Sequence, residues 1–159
     1  MTELKKKNVA LVTGAAGFIG FHLSQTLLDQ GWRVVGLDCI SDYYDVLLKE
    51  RRESMLLKRP DYRSIHKKVE ELGVLNKVFE EEKPDIVIHL AAQAGVRYSI
   101  DNPRAYLESN IVGTFELLEA ARAYPPAHML LASTSSAYGA NIEMPYKETD
   151  KADHQLSFY

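Results

Sequence analysis

The chain has 159 residues, a length that accommodates one domain and leaves little room for a second. Hydrophobic residues make up 46% of it and charged residues 26%, proportions typical of a globular protein, which argue against a disordered or collagen-like chain. The 19 basic and 22 acidic residues give a net charge of −3, so no overall field favours nucleic acid or a membrane surface as a partner. Cys39 is the only cysteine, which excludes an internal disulfide framework and a cysteine-based zinc cluster and indicates a reducing, cytoplasmic location.

A basic segment, Met1 to Lys7, begins the chain. The apolar run that follows, from Val9 to Val12, is far shorter than the roughly 7–15 apolar residues of a signal peptide or the roughly 20 of a membrane helix. We therefore expect a solvated basic tail leading into a buried strand, and no targeting or membrane-spanning segment.

Short apolar runs alternate along the chain with longer amphipathic stretches. The runs rich in Val, Ile and Leu predict buried strands over 8–13, 33–38, 85–89 and 128–132, and 62–66 is a weaker fifth candidate. Helical spacing of apolar residues predicts four helices: one through Ile19, Leu23 and Leu27, one over 44–57, one through Leu72, Leu75, Val78 and Phe79, and one over 102–124, where Asn102-Pro103 indicates an N-cap. This alternation predicts an α/β fold, a doubly wound parallel sheet with helices on both faces.

A glycine-rich turn joins the first predicted strand to the first helix. Its sequence, TGAAGFIG, runs from Thr13 to Gly20 with the spacing G-x-x-G-x-x-G. We expect Gly14 to permit the tight turn, Gly17 to leave room for a pyrophosphate at the helix N-terminus, and Gly20 to let the helix lie close to the strand.

Asp38 ends the second predicted strand, 18 residues after Gly20. A carboxylate there accepts hydrogen bonds from the ribose hydroxyls of adenosine and repels a 2′-phosphate, so NAD is favoured over NADP. Glycines in a strand–turn–helix unit, followed by an acid after the next strand, form the context that a dinucleotide site requires. The alternative is a tight turn and a strand-end acid without a ligand.

Several segments resemble the extended short-chain dehydrogenase/reductase family, which includes the NAD-dependent sugar-nucleotide epimerases and dehydratases. The segments lie in the family's order across essentially the whole chain: TGAAGFIG at 13–20, LAAQAG at 90–95, NIVGT at 110–114 and STSSAYG at 133–139. The resemblance implies a Rossmann-like sheet with strand order 3-2-1-4-5 and NAD as the cofactor. It assigns the cofactor contacts to Gly14, Gly17, Phe18, Ile19, Gly20, Asp38, Leu90, Ala91, Ala92 and Gln93.

Within that family the chain is most similar to the UDP-glucuronate 4-epimerases, through DYYD at 42–45, AGVRYS at 94–99 and MPYKETD at 144–150. This similarity implies a UDP-sugar substrate that is oxidised at C4 and reduced again from the opposite face. The family's 4,6-dehydratases carry Asp-Glu where this chain has Ser135-Ser136, which favours the epimerase. The alternatives are another epimerase, dehydratase or decarboxylase of the same family, and a non-catalytic NAD-binding module.

The family's catalytic pair is Tyr-x-x-x-Lys, and the resemblance assigns its tyrosine to Tyr159. It also assigns Thr134 to the hydroxyl that binds the 4-oxygen of the sugar, and Arg97, Ser135 and Ser136 to the sugar pocket. Loop capping by Thr134, and a loop Arg97 that lies in solvent or on a phosphate, remain alternatives. The lysine position lies four residues beyond Tyr159, so we expect 1–159 to be the NAD-binding part of a larger protein, without its sugar-binding lobe. Because a tyrosine titrates near 10 unless a cation stabilises its phenolate, we expect this part alone to be inactive.

One position departs from the family's pattern. Family members usually carry, after the third strand, an Asp that accepts a hydrogen bond from the adenine amino group, whereas this chain has Lys68-Val69. Either adenine recognition is weakened, or the alignment is shifted by a few residues.

Three remaining features bear on partners. The five histidines show no metal-ligand spacing, and His89, in an apolar strand, is predicted to be a core residue. The basic 49–68 segment lacks interleaved aromatic residues, which favours a solvated helix face over a nucleic-acid site. The family often dimerises by pairing two helices from each subunit, so the resemblance implies a homodimer through the 102–124 helix, the one helix of that set in this chain. Its apolar stripe, formed by Leu107, Ile111, Phe115 and Leu118, is expected to be exposed, which predicts association or poor solubility.

Overall fold

A computed structural model of the chain describes residues 7–159 and contains the predicted parallel sheet. Its order is β3-β2-β1-β4-β5, and every neighbouring pair is parallel. All five predicted strands and the 3-2-1-4-5 order are therefore confirmed, while residues 1–6 of the predicted basic tail lie outside the described residues. The strands are β1 (Val9–Thr13), β2 (Arg33–Asp38), β3 (Tyr62–His66), β4 (Ile86–His89) and β5 (His128–Leu131).

Helices connect the strands in the predicted order. They are α1 (Phe18–Asp29), α2 (Val46–Leu56), α3 (Val74–Glu82), the single turn α4 (Tyr98–Asp101), α5 (Pro103–Tyr106), a π-helical segment (Leu107–Val112) and α6 (Gly113–Ala123). The last three segments follow one another without a break and are called the 103–123 helix below. Asn102 precedes this helix as predicted, but its side chain does not cap it; the amide donates instead to the Tyr98 hydroxyl at 2.9 Å.

Two apolar clusters cover the two faces of the sheet. The first packs α3 and the 103–123 helix against β1, β2 and β4, with Phe79 and Leu117 fully buried. The second packs α1 and α2 against the opposite face, with Phe21 and Leu56 buried. Each such side chain contributes about 1.5–3 kcal/mol by leaving water, so helices on both faces hold the doubly wound sheet together.

Two helix boundaries differ from the prediction. Helix α2 begins at Val46 rather than at residue 44, because the Asp45 carboxylate caps it by accepting from the Leu47 N–H at 2.9 Å. Leu72, predicted to lie on the apolar face of the third helix, is 86% exposed. It precedes Gly73, whose φ of +79° marks the chain reversal from which α3 starts.

The prediction that β5 is buried on both faces is wrong. Leu130 and Leu131 are exposed, and Met129 alone packs against the first cluster. The strand lies at the edge of the sheet, and among the described residues no α-helix follows it to cover the face on which α1 and α2 lie. Apolar composition therefore predicted the strand but not its environment.

Candidate functional site: a cleft at the carboxyl edge of the sheet

The glycine turn after β1 is built on two close backbone approaches. Gly14 has a φ of +71°, its N–H donates to the Leu37 carbonyl at 2.8 Å, and a Cβ on it would lie 2.9 Å from the Ala91 nitrogen. A Cβ on Gly20 would lie 2.1 Å from the Gly14 carbonyl oxygen. Gly20 therefore lets α1 pack on the turn itself, rather than on the strand as we had expected.

The N-terminus of α1 is open towards solvent. Gly17 is the residue before the helix, and the first turn carries no acidic side chain to occupy its amide groups. The first N–H groups of a helix lack partners within it and carry a partial positive charge. Phe18 and Ile19 are 66% and 65% exposed, so this end of the helix is free to receive an anion.

Asp38 lies at the end of β2, beside this turn. One carboxylate oxygen accepts from the Ala16 N–H at 3.0 Å and the other from the Ile40 N–H at 2.9 Å. These bonds fix the orientation of the carboxylate and leave each oxygen a further lone pair. The predicted strand-end acid is therefore held in place as a hydrogen-bond acceptor.

Thr13 and His89 form a buried pair that joins the glycine turn to the loop after β4. The Thr13 hydroxyl oxygen lies 2.7 Å from His89 Nδ1 and accepts from the N–H groups of Leu90 at 3.2 Å and Ala91 at 3.1 Å. Because amide N–H groups only donate, the hydroxyl hydrogen is left for His89 Nδ1, and Nε2 carries the ring proton. Burial lowers the pKa of His89 to about 4, in keeping with a neutral ring. This confirms His89 as a core residue.

Asn110, from the π-helical segment, binds the same loop from the other side. Its amide accepts from the Gln93 N–H at 2.7 Å and donates to the Gln93 carbonyl at 3.0 Å. From the sequence, Asn110 was recognised only as part of the NIVGT motif at 110–114, and no role was given to it. The signal that could have found it is a polar side chain within the apolar pattern of the 102–124 helix.

These elements surround a cleft of about 340 Å³. The cleft runs from the glycine turn past the end of β2 to the segment after β3. Seven of the ten predicted cofactor residues line it: Gly14, Gly17, Asp38, Leu90, Ala91, Ala92 and Gln93. Gly14 and Gln93, which lie 79 positions apart in the chain, thus meet at one edge of the sheet, where ligands of open α/β sheets bind.

Other predicted site residues lie outside the lining of this cleft. Phe18, Ile19 and Gly20 belong to the first turn of α1. Thr134 precedes the short 3₁₀ turn Ser135–Tyr138, and its hydroxyl accepts from the Ser136 N–H at 3.2 Å. The alternative of a loop-capping role for Thr134 is therefore realised in this structure. Ser135 is exposed, and so is Arg97, the residue before α4.

A row of aromatic rings connects Tyr159 with the cleft. Tyr43 and Tyr98, which line the cleft, lie 4.9 Å apart, and the buried ring of Tyr106 follows at 6.2 Å from Tyr98. Tyr159 meets Tyr106 edge to face at 5.6 Å. The Tyr106 hydroxyl donates to the Ala94 carbonyl at 2.9 Å, and burial and the neighbouring tyrosines raise its pKa, so it stays a donor. The role of Tyr106 in this row was not foreseen from the sequence.

Lys49 fixes the loop on the far side of the cleft. Its side chain is buried, its ammonium donates to the carbonyl and hydroxyl of Ser41 at 2.7 and 2.9 Å, and it lies 4.2 Å from the centre of the Tyr44 ring. Cation–π contact and two hydrogen bonds offset the loss of hydration of this charge. The 41–44 loop is thereby held as a wall of the cleft.

Within residues 7–159, no three His, Cys, Asp or Glu side chains are grouped so that they could hold a metal ion. No helix in the same range is long and apolar enough to cross a bilayer.

Comparison with known proteins decides the family. The family model described as GDP-mannose 4,6 dehydratase matches residues 11–159. The chain belongs to this family. The resemblance to sugar-nucleotide epimerases and dehydratases expected from the motifs is thereby confirmed.

The proteins to which this chain is similar include 4-epimerases. The chain is 48% identical over 149 residues to a probable UDP-glucuronate 4-epimerase of Rhizobium meliloti (strain 1021), covering 94% of this chain and 44% of that protein. It is 45% identical over 150 residues to UDP-glucuronate 4-epimerase 2 of Arabidopsis thaliana, covering 94% of this chain and 34% of that protein. The chain thus spans less than half the length of these relatives.

Solved structures agree with the fold. The UDP-glucuronic acid 4-epimerase of Bacillus cereus, in complex with UDP-glucuronic acid and NAD, is similar with a TM-score of 0.85 and 34% identity, over 94% of this chain and 47% of that one. The UDP-glucose 4-epimerase of Thermotoga maritima, with UDP-glucose, gives a TM-score of 0.80 and 32% identity, over 95% of this chain and 46% of that one. These likenesses confirm the Rossmann-like architecture.

Proposed function

We propose that the cleft binds NAD. The observation that carries this proposal is the convergence of the glycine turn, Asp38 and the 90–93 loop on one cleft of about 340 Å³. A Cβ at Gly14 or at Gly20 would fill the space inside the turn. The α1 N-terminus presents unpaired amide groups to a pyrophosphate. Asp38 supplies the acceptor for the adenosine ribose hydroxyls. The cofactor bound in the Bacillus cereus relative supports the proposal.

We propose further that the protein containing this chain interconverts UDP-glucuronate and UDP-galacturonate. The Rhizobium meliloti and Arabidopsis thaliana relatives, named as UDP-glucuronate 4-epimerases, support this substrate over other UDP-sugars. NAD, when bound, supplies the acceptor and later the donor of the C4 hydride. The residues of this chain bind and orient both molecules and move the proton of the 4-hydroxyl.

Tyr159 takes that proton in this proposal. Its ring is placed by its edge-to-face contact with the buried Tyr106. Thr134 shares the proton at the 4-oxygen. Its hydroxyl must then hydrogen-bond the substrate as well as accept from the Ser136 N–H. Ser135 and Ser136 contact the sugar, and Arg97 pairs with the glucuronate carboxylate, a partner that suits a guanidinium.

The 159-residue chain alone binds NAD in this proposal but does not turn over a sugar. The family's lysine falls four residues after Tyr159, outside the 159 residues, and an unassisted tyrosine is a weak base at neutral pH.

The test uses the protein in which this sequence occurs. It is incubated with NAD and UDP-glucuronate, and the products are followed by NMR. We expect UDP-galacturonate to accumulate. Tyr159→Phe should abolish this turnover, whereas Tyr124→Phe, at an exposed position on the surface, should leave the turnover unchanged. Turnover of UDP-glucose without turnover of UDP-glucuronate would contradict the substrate. A 4-keto-6-deoxy product formed from UDP-glucose, which has a 6-hydroxyl to lose as water, would instead indicate the dehydratase reaction for which the family is named.

We propose that the 103–123 helix pairs with a second copy of the protein. Its outward stripe of Leu107, Ile111, Phe115 and Leu118 is 41–59% exposed, whereas Tyr106, Leu117 and Ala120 on its other side are buried. Light scattering after gel filtration tests this pairing. We expect a dimer that Phe115→Glu converts to a monomer, and a monomeric wild type would contradict it.

We also propose a cytoplasmic location, because the single cysteine is exposed and unpaired and suits a reducing compartment. Fractionation of cells that express the protein tests this, and recovery of the protein outside the cytoplasmic fraction would contradict it.

A further inference from the structure

Two loops of the cleft meet across the carboxyl end of β1. Strands β2 and β4 lie on either side of β1, so the segments that follow them start roughly 10 Å apart, which is two strand spacings. Tyr43 belongs to the segment after β2, and Tyr98 to the segment after β4. Their rings lie 4.9 Å apart at an angle of 41°, and both residues line the cleft. This contact, called the tyrosine bridge below, joins the two walls of the cleft.

Gly95 brings the backbone of the second wall close to the same ring. Its φ is +105°, and a Cβ built on it would lie 2.7 Å from the Tyr43 hydroxyl oxygen. A side chain at this position would push the Tyr43 ring away from Tyr98. The tyrosine bridge therefore depends on a glycine in the facing segment as well as on the two rings.

Tyr98 is the fixed half of the bridge. The Asn102 amide donates to its hydroxyl at 2.9 Å, and the ring of Tyr106, which is 1% exposed, lies 6.2 Å away. A hydrogen bond and a buried neighbour thus hold this ring in place.

Tyr43 is the half that can move. Its side chain is 45% exposed, whereas the loop around it is held by the bonds of Lys49 to Ser41 and by its cation–π contact with Tyr44. Rotation of one exposed side chain, without movement of the loop, is therefore enough to part the bridge. Such rotations are fast, on the picosecond to nanosecond scale.

We propose that the tyrosine bridge is a gate through which a dinucleotide enters and leaves the cleft. A ligand that reaches both Asp38, at the end of β2, and the 90–93 loop, after β4, lies between the same two segments that the bridge joins. The two rings contact each other, so the gate controls the rates of exchange and leaves the affinity nearly unchanged. This inference rests on the proposed NAD site.

The test measures the two rate constants separately on the 159-residue chain. Stopped-flow mixing with NADH, whose nicotinamide fluorescence reports binding, gives the association rate constant. Displacement of bound NADH by excess NAD gives the dissociation rate constant. We expect Tyr43→Ala to raise both by about fivefold, because loss of one aromatic pair increases the open fraction by about this factor. The dissociation constant should change by less than about twofold, since the two effects cancel in it.

Two further variants provide the controls. Tyr43→Phe keeps the ring and should keep both rate constants at their wild-type values. Tyr124→Ala removes an exposed tyrosine that lies outside the lining of the cleft, and it should also leave both unchanged.

Three outcomes would overturn the gate. They are unchanged rate constants in Tyr43→Ala, a faster dissociation in that variant with an equal loss of affinity, and the same effect from Tyr43→Phe as from Tyr43→Ala. The second outcome would make Tyr43 a direct ligand contact, and the third would assign the effect to its hydroxyl. Failure of the wild type to bind either NADH or NAD would instead overturn the proposed cofactor site itself.

Discussion

The side-chain amide of Asn110 binds the backbone of Gln93 at both of its polar groups, at 2.7 Å to the N–H and 3.0 Å to the carbonyl. Gln93 belongs to the loop after β4 that lines the cleft, and Asn110 to the π-helical segment of the 103–123 helix. One side chain thus satisfies two backbone groups in a loop that has no strand partner at this point. The position of the loop, and of the cleft wall, depends on it.

Asn110→Asp tests this dependence. The carboxylate keeps an acceptor for the Gln93 N–H but places a second oxygen against the Gln93 carbonyl. Because one partly buried hydrogen bond is lost and two acceptors face each other, we expect the free energy of unfolding to fall by about 1–3 kcal/mol and NAD affinity to fall about tenfold. Urea unfolding and calorimetry measure the two effects. Asn141→Asp, at an exposed amide that donates to the Lys151 carbonyl, should change NAD affinity less than twofold.

Gly20→Ala tests the packing of α1 on the glycine turn. The added methyl group would lie 2.1 Å from the Gly14 carbonyl oxygen, so the turn or the helix must shift. We expect NAD affinity to fall by at least about tenfold, since the backbone that cradles the pyrophosphate moves. Calorimetric titration measures this change.

Gly31→Ala separates that effect from a general loss of stability. Gly31 has a φ of +84°, and nothing lies within 4 Å of a Cβ built on it. The substitution should cost about 1–2 kcal/mol of stability because alanine is strained in this region, while NAD affinity stays at its wild-type value. An equal loss of NAD affinity in both variants would contradict the role given to Gly20.

The pH dependence of stability reports on the Thr13–His89 pair. Burial lowers the pKa of His89 from 6.5 to about 4, so between these values the unfolded chain binds the proton and the folded chain does not. Stability should therefore fall as the pH is lowered from 6.5 towards 4, by up to about 3 kcal/mol. Burial raises the pKa of Glu82, but its bonds to Arg33 and Arg63 hold it below 4.5, so its own effect is confined to more acidic pH.

His89→Asn identifies the source of this dependence. Asparagine offers an acceptor to the Thr13 hydroxyl but does not titrate, so urea unfolding between pH 6.5 and 4.5 should lose most of its slope against pH. His128→Asn, at an exposed position, should keep the wild-type slope. If His89→Asn also kept it, another group would be responsible.

The pattern of apolar residues predicted the sheet well, because each strand of this fold is a short apolar run that can be recognised from its own residues. The β2 and β3 boundaries agree with the structure to the residue. The exposure of β5 was not predictable, because burial depends on which element covers a strand and not on the strand itself.

The site was predictable in part for the same reason. Gly14, Gly17 and Asp38 are imposed by local backbone and strand-end geometry, so their spacing is visible in the sequence. The contacts of Thr13 with His89 and of Asn110 with Gln93 join residues 76 and 17 positions apart, and only the folded chain brings them together. Loop capping by Thr134 was an alternative that the sequence left open, and the folded chain shows the capping bond.

Calorimetric titration of NAD into the 159-residue chain tests the central claim most directly, with Asp38→Asn beside the wild type. The wild type should bind one NAD saturably at submillimolar concentration. Asp38→Asn should bind about tenfold more weakly, since it loses the charged acceptor for the ribose hydroxyls. No heat and no spectral shift from the wild type at millimolar NAD would contradict the claim that this cleft is a cofactor site.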